Sequence, residues 1–176
     1  MQQQNKNHGQ PGMIRFLTAL FAVLMLASCA AETKFRTYTG PEVTQVIVSK
    51  SERQMHLLHH DRVLKTFPID LGFAPQGHKH FEGDGRTPEG DYFIDRRNPN
   101  SSFHLSIGIS YPNAADRAFA RAHGKHPGGD IFIHGFPNGA TPTRRDWTAG
   151  CIAVTNAEME KIYAMVRDGT PIRINP

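Results

Sequence analysis

The chain is short of the residues that staple small proteins together. It holds two cysteines and one tryptophan in 176 residues. Two cysteines allow at most one disulfide, which excludes a disulfide-built scaffold. Long apolar runs are also missing. The longest, "FLTALFAVLML" at 16–26, has eleven residues, and about 20 are needed to cross a bilayer as a helix. No segment repeats and no heptad pattern runs through the chain, so solenoids and coiled coils are excluded. The formal charge of +4 is scattered. Its densest clusters are Arg144-Arg145 and Arg96-Arg97, and neither has interleaved aromatics, so nucleic acid is not an expected partner. The ten histidines include no His-x-x-x-His pair on a helical stretch and no carboxylate at ligand spacing. "HKH" at 78–80 and the pair His59-His60 therefore read as loop and turn histidines, and no metal is expected.

What remains is an ordinary globular composition, 39% hydrophobic and 20% charged, enough for one core. Sixteen glycines and twelve prolines favour strands joined by turns over a helical bundle.

Residues 1–28 read as an export signal: Lys6 and Arg15 without an acidic residue, then the apolar run. Met13 is an alternative start that would give a compact "MIRF" opening. The run ends in "LASC", which resembles the bacterial lipobox, with Cys29 as the lipid-bearing residue. That reading implies a lipoprotein held to a membrane by its acyl chains. Ala30, rather than Asp, after Cys29 implies the periplasmic face of the outer membrane. Residues 29–42 read as a lipid-anchored tether and 43–176 as the functional domain. Acylation of Cys29 would leave Cys151 without a partner in the chain, which makes it either a buried filler or a reactive thiol.

The alternation of apolar residues predicts a three-strand meander over 43–50, 54–59 and 62–71. A Gly/Pro/Asp-rich loop follows, ending in a strand over 91–95. Further strands are expected at 103–111, 130–135, 151–154 and 170–175. "NAADRAFARAHG" predicts a helix capped by Asn113 and stopped by Gly124. Thr155 and Glu158 form a capping box for a second helix, with Met159, Ile162, Tyr163 and Val166 on its buried face. Residues 138–147 read as a loop with room for one helical turn. The sum is an α+β, β-rich domain.

Two short motifs carry chemistry. "FIHG" puts His134 at the end of a strand, and "TAGC" puts Cys151 at the start of another. A thiol is a weak nucleophile at neutral pH until a base or cation assists it. Gly150 permits close backbone approach and exposes N–H groups suited to an oxyanion hole. These residue types fit a Cys–His acyl-transfer site.

"IHG" followed by "TAGCIAV", together with "GDGRTPEGDYFI" and "PGGDIFIHG", resembles the L,D-transpeptidase catalytic (YkuD) domain family in its murein L,D-transpeptidase-like branch. The resemblance runs from about Val43 to Asn175. It implies a mixed sheet or β-sandwich with two or three short helices. It implies Cys151 as nucleophile, His134 as general base, the Gly135 carbonyl orienting the imidazole, and the Gly150 and Cys151 N–H groups as the oxyanion hole. The implied reaction is attack on the amide after the third residue of a peptidoglycan stem, commonly meso-diaminopimelate. A thioester forms, and an amine resolves it without metal or cofactor. A hydrolase of the same bond, trimming stems or releasing a wall-attached lipoprotein, is the alternative. A non-catalytic peptidoglycan-binding lipoprotein is a third reading. Two positions depart from the motif: Ala149 stands where a histidine is expected, and Ala153 where Arg or Asn is common. Arg86, Tyr111, His104 and Trp147 are candidate substrate-binding residues. Those four and His80 are the nearest polar replacements for the absent histidine.

Overall fold

A computed structural model describes Met1 and residues 33–176. The remainder of the export segment and Cys29 lie outside the described residues. The meander forms as β1 (Gln45–Ser49), β2 (Gln54–His59) and β3 (Arg62–Pro68). Alternation decides which faces are buried: Val46, Val48, Met55 and Leu57 point inward and are fully buried, as a period-two pattern requires. In β3 only Phe67 is buried, consistent with an edge strand.

The chain then runs through β4 (Gly90–Asn98), β5 (Ser106–Ile109), helix α1 (Ala114–Ala122), β6 (Phe132–His134), β7 (Ile152–Ala153), helix α2 (Asn156–Met165) and β8 (Pro171–Asn175). The eight strands form one mixed sheet in the order β3-β2-β1-β8-β4-β5-β6-β7. The pairs β1/β8 and β6/β7 are parallel. The sheet curls until its two ends meet. Just past β3, Asp70 pairs with Ala153 of β7, with N···O distances of 2.9 and 2.8 Å. Curling hides the sheet edge and encloses a core that includes Ile94, Ile107, Ile133, Ile152, Ile172 and Ile174.

β4 runs on to Asn98, past the expected end at 95, with a bulge between Ile94 and Arg96. β5 begins at Ser106 rather than 103. Phe103 N–H is diverted to Ser101 Oγ, and His104 has a positive φ of 67°, so the chain turns there. Residues 138–147 contain no helical turn. Both helices carry the expected caps, each completed as a capping box, Asn113 with Asp116 and Thr155 with Glu158. Such a cap stabilises a helix by about 1 kcal/mol. Met159, Ile162 and Val166 are buried as expected, with Tyr163 partly buried against them.

The segment expected to be a tether is docked from Phe35 onward. Residues 35–176 form one compact unit. Arg36 pairs with Glu160 at 2.7 Å and Phe35 packs beside Tyr163, ring centroids 6.2 Å apart. The polar letters of 35–42 hid this because their partners lie on α2, far along the chain. No helix among the described residues is long and apolar enough to cross a membrane.

Candidate active site

The parallel pairing of β6 with β7 sets Ile133 opposite Ile152 and His134 opposite Ala153. This register, more than any single contact, brings the "IHG" and "AGC" motifs side by side. His134 and Cys151 line one cavity of about 510 Å³, together with Phe103, Phe132, Trp147 and Ala149. Phe103 lies 4.5 Å from the His134 ring, and Trp147 meets it edge-on at 5.6 Å.

His134 is 4% exposed, and its Nδ1 is 2.7 Å from the Gly135 carbonyl. A carbonyl can only accept, so Nδ1 carries the proton and Nε2 is left as the basic nitrogen. Burial pushes the imidazole below its ordinary pKa of 6.5, against the opposing pull of the Gly135 carbonyl. The Cys151 sulfur accepts from Phe132 N–H at 3.4 Å, and the thiol donates to the Asp130 carbonyl at 3.5 Å. Burial pushes this thiol above its ordinary pKa of 9.0. The Phe132 N–H and the charge of Lys79 pull it down, and Asp130 pushes it up. Both shifts favour the neutral pair. That is the thiol–imidazole pair rather than thiolate and imidazolium, so a nucleophilic sulfur here would require the proton to move.

The turn before Cys151 is built tightly. Gly150 has a φ of 138°, and a Cβ there would lie 2.7 Å from the Arg86 carbonyl, so no other residue fits without strain. Thr148 Oγ1 accepts the Gly150 N–H at 3.1 Å and donates to the Cys151 carbonyl at 2.7 Å. Of the two N–H groups expected in the oxyanion hole, that of Gly150 is thus already engaged. The loop is held from below by Asp146, which takes the Leu71 N–H at 3.0 Å and the Arg53 guanidinium at 2.8 Å. Burial alone would raise the Asp146 carboxyl, but Arg53 and the Leu71 N–H outweigh it and hold the pKa below its usual value.

Of the expected substrate-binding residues, Trp147 lines the cavity. Its buried Nε1 has no hydrogen-bond partner among the described residues. Arg86, Tyr111 and His104 do not line it. Arg86 supplies backbone behind Gly150 and points its guanidinium at the His78 carbonyl, 3.5 Å away. Tyr111 is buried with its hydroxyl on the Pro127 carbonyl at 2.9 Å. His104 Nε2 sits 3.0 Å from Glu160. Ala149, at the departing position, is exposed on the cavity wall, and Ala153 is buried in β7.

Phe103 and Lys79 were not singled out from sequence. Lys79 lines a second cavity, of about 490 Å³, that also reaches Ala149 and Cys151. The only sequence signal for it was a basic residue five positions before Asp84 in the Gly-rich loop.

A curled, strand-rich mixed sheet presents a cysteine and a tautomer-fixed histidine in one cavity, the residue pair of a candidate Cys–His site. The chain belongs to the YkuD family, the L,D-transpeptidase catalytic domain, whose profile matches residues 44–174. It is 36% identical over 108 residues to YafK of Escherichia coli K12, covering 60% of this chain and 38% of that protein. Among solved structures, it is similar to the helical cell shape determining protein Pgp2 of Campylobacter jejuni. The identity is 25% and the TM-score 0.60, over 86% of this chain and 54% of Pgp2. Bd1075 of Bdellovibrio bacteriovorus aligns at 26% identity and a TM-score of 0.53, over 76% of this chain and 48% of that one. The chain thus spans 38% to 54% of the length of these relatives.

Proposed function

We propose that the protein remodels peptidoglycan by cysteine-dependent acyl transfer at the amide after the third stem residue. The observation that carries this reading is the shared cavity of Cys151 and His134, with Nδ1 committed to the Gly135 carbonyl and Nε2 left as base. As Cys151 Sγ bonds to the carbonyl carbon, His134 Nε2 takes the thiol proton. The Cys151 N–H receives the oxyanion, and Gly150 joins only if its bond to Thr148 opens. Collapse breaks the C–N bond, Nε2–H protonates the leaving amine, and a thioester remains. An acceptor amine then attacks the thioester, Nε2 takes its proton and returns it to sulfur, and a new amide forms. Water in place of the amine would make the enzyme a hydrolase of the same bond. Two features support such openness to acceptors: Ala149 puts only a methyl group on the cavity wall at the position beside Gly150, and a second cavity reaches the same sulfur.

The lipobox at Cys29 supports an exported lipoprotein on the periplasmic face of the outer membrane, with a wall-attached lipoprotein as a further partner. Labelled-palmitate incorporation that Cys29→Ser abolishes is the expected result.

The test of the reaction is incubation of the full-length protein with diaminopimelate-containing muropeptides, read by mass spectrometry. Cross-linked products support transfer, and shortened stems support hydrolysis. Cys151→Ala and His134→Ala should each lower turnover by about 10³-fold or more. Wild type indistinguishable from Cys151→Ala would sink both enzymatic readings and leave a wall-binding role. A carbapenem adduct on Cys151 gives a direct check of the nucleophile.

A further inference from the structure

Cys151 stands between two cavities of different character. The first is walled by the rings of Phe103, Phe132, Trp147 and His134. The second carries a buried ammonium, Lys79, with glycine backbone at Gly128 and Gly129 around it. Asp130, Ala149 and Cys151 belong to both.

Lys79 is out of place for a merely structural lysine. Its side chain is 4% exposed, and charged groups are rarely so deep without full pairing. Its Nζ donates to the Phe81 carbonyl at 3.0 Å and to Asp84 Oδ1 at 2.9 Å. An ammonium has three donors, and no acceptor among the described residues takes the third. Asp84 pairs with Lys79 and also accepts the backbone N–H groups of His80, Phe81 and Arg86, so its oxygens are fully engaged and leave the third Lys79 donor untouched. By contrast, buried Lys50, just after β1, places its Nζ on three acceptors: the Gly77 and Thr87 carbonyls and Glu89. Lys50 is a brace, and Lys79 keeps one donor for a ligand.

We propose that the second cavity receives the amine side of the exchanged amide, an α-amino acid unit with a free carboxylate, and that Lys79 binds that carboxylate. The inference rests on acyl transfer at Cys151. The chemistry of that transfer supports it. The nitrogen that leaves the scissile amide, or enters the thioester, must sit beside the Cys151 sulfur. When that nitrogen belongs to an α-amino acid, its carboxylate is on the adjoining carbon. A cation a short distance into the cavity then reads the same group for the leaving and the entering amine. Asp130, which lines both cavities, has its carbonyl 3.5 Å from the sulfur, where it offers the amine N–H an acceptor. Lys79 is thus a specificity residue in the cavity that Ala149 and Cys151 also line.

Two measurements on the full-length protein decide the matter. The first compares kcat/KM for donor peptides ending in a free carboxylate or in the matching carboxamide. Wild type should prefer the acid by about tenfold or more, the size of one charge-assisted hydrogen bond. Lys79→Met should bring the ratio to near one, and Lys79→Arg should keep most of it. Equal rates for acid and amide in wild type, or a Lys79→Met loss that leaves the ratio unchanged, would overturn the proposal and show a bracing lysine. The second needs no turnover. Alanine should slow iodoacetamide alkylation of Cys151, read by peptide mass spectrometry, and alaninamide should not, with the difference lost in Lys79→Met. If no peptide is turned over but this protection is seen, the acyl-transfer reading fails and the carboxylate site stands. If peptides are turned over without acid preference, and alanine does not protect, the site fails and the reaction stands.

Discussion

At the scale of single residues, the central fact is that Cys151 and His134 are both tuned toward neutrality. Burial raises the thiol and lowers the imidazole. A site with a preformed ion pair would show the reverse. Two outcomes follow from the signs. In the proposed mechanism His134 is a base in its neutral form, which persists below its ordinary pKa of 6.5. The acid limb of kcat/KM should therefore have its midpoint below pH 6.5. Alkylation of Cys151 in the free protein should keep rising past pH 9, because the thiol lies above its ordinary value of 9.0. An alkylation midpoint near neutrality would mean that a thiolate is already stabilised before substrate binds, against this account.

At the scale of elements, the decisive piece is the loop from Asp146 to Gly150, since it aims the sulfur. Its anchors come from the far end of the sheet: Arg53 follows β1, and Leu71 follows β3. Arg53→Ala removes a paired guanidinium from a largely buried carboxylate and should destabilise the fold by about 1–3 kcal/mol. It should also lower kcat more than it raises KM, because the loop that aims Cys151 loosens while the cavity walls stay. Hydrogen exchange at the Leu71 and Thr148 amides is the direct readout. Unchanged exchange with reduced activity would place the role of Arg53 elsewhere. Much at this scale was legible beforehand. The meander, both helix caps and the buried face of α2 follow from local periodicity and capping chemistry. The turn at Phe103–His104 was not legible, because the Ser101 hydroxyl takes the Phe103 N–H there, and no local pattern marked the bulge in β4. The docking of Phe35 and Arg36 on α2 was hidden for the same kind of reason, since local sequence does not reveal a partner more than a hundred residues away.

At the scale of the whole molecule, two carboxylates hold the irregular half of the chain to the sheet. Asp84 gathers the loop before β4 and Asp146 the loop before β7. Burial pushes each carboxyl up, yet backbone N–H groups with Lys79, or Arg53 with Leu71, hold both below the usual pKa of 3.8. A depressed folded-state pKa adds stability that is present above the unfolded-state pKa, about 3.9, and is lost as pH falls through the folded value. The melting temperature should therefore hold from neutrality down to about pH 5 and drop below about pH 4. Asp84→Asn with Asp146→Asn should melt lower at pH 7 and converge with wild type near pH 2. Parallel curves at all pH values would show that other groups control acid unfolding.

The sequence by itself determined the family and singled out the candidate nucleophile and base, because those depend on short motifs whose spacing survives in one dimension. It also determined most strands and both helices, because periodicity and caps act within a few residues. Only the tertiary structure decided how the motifs meet and what surrounds them. The parallel β6/β7 register, the curl that joins Asp70 to Ala153, the ring of Phe103 and the unspent donor of Lys79 all depend on segments distant in the chain. They pack together because closing the sheet buries a common core, and no local pattern records which distant side chain that closure brings to the sulfur.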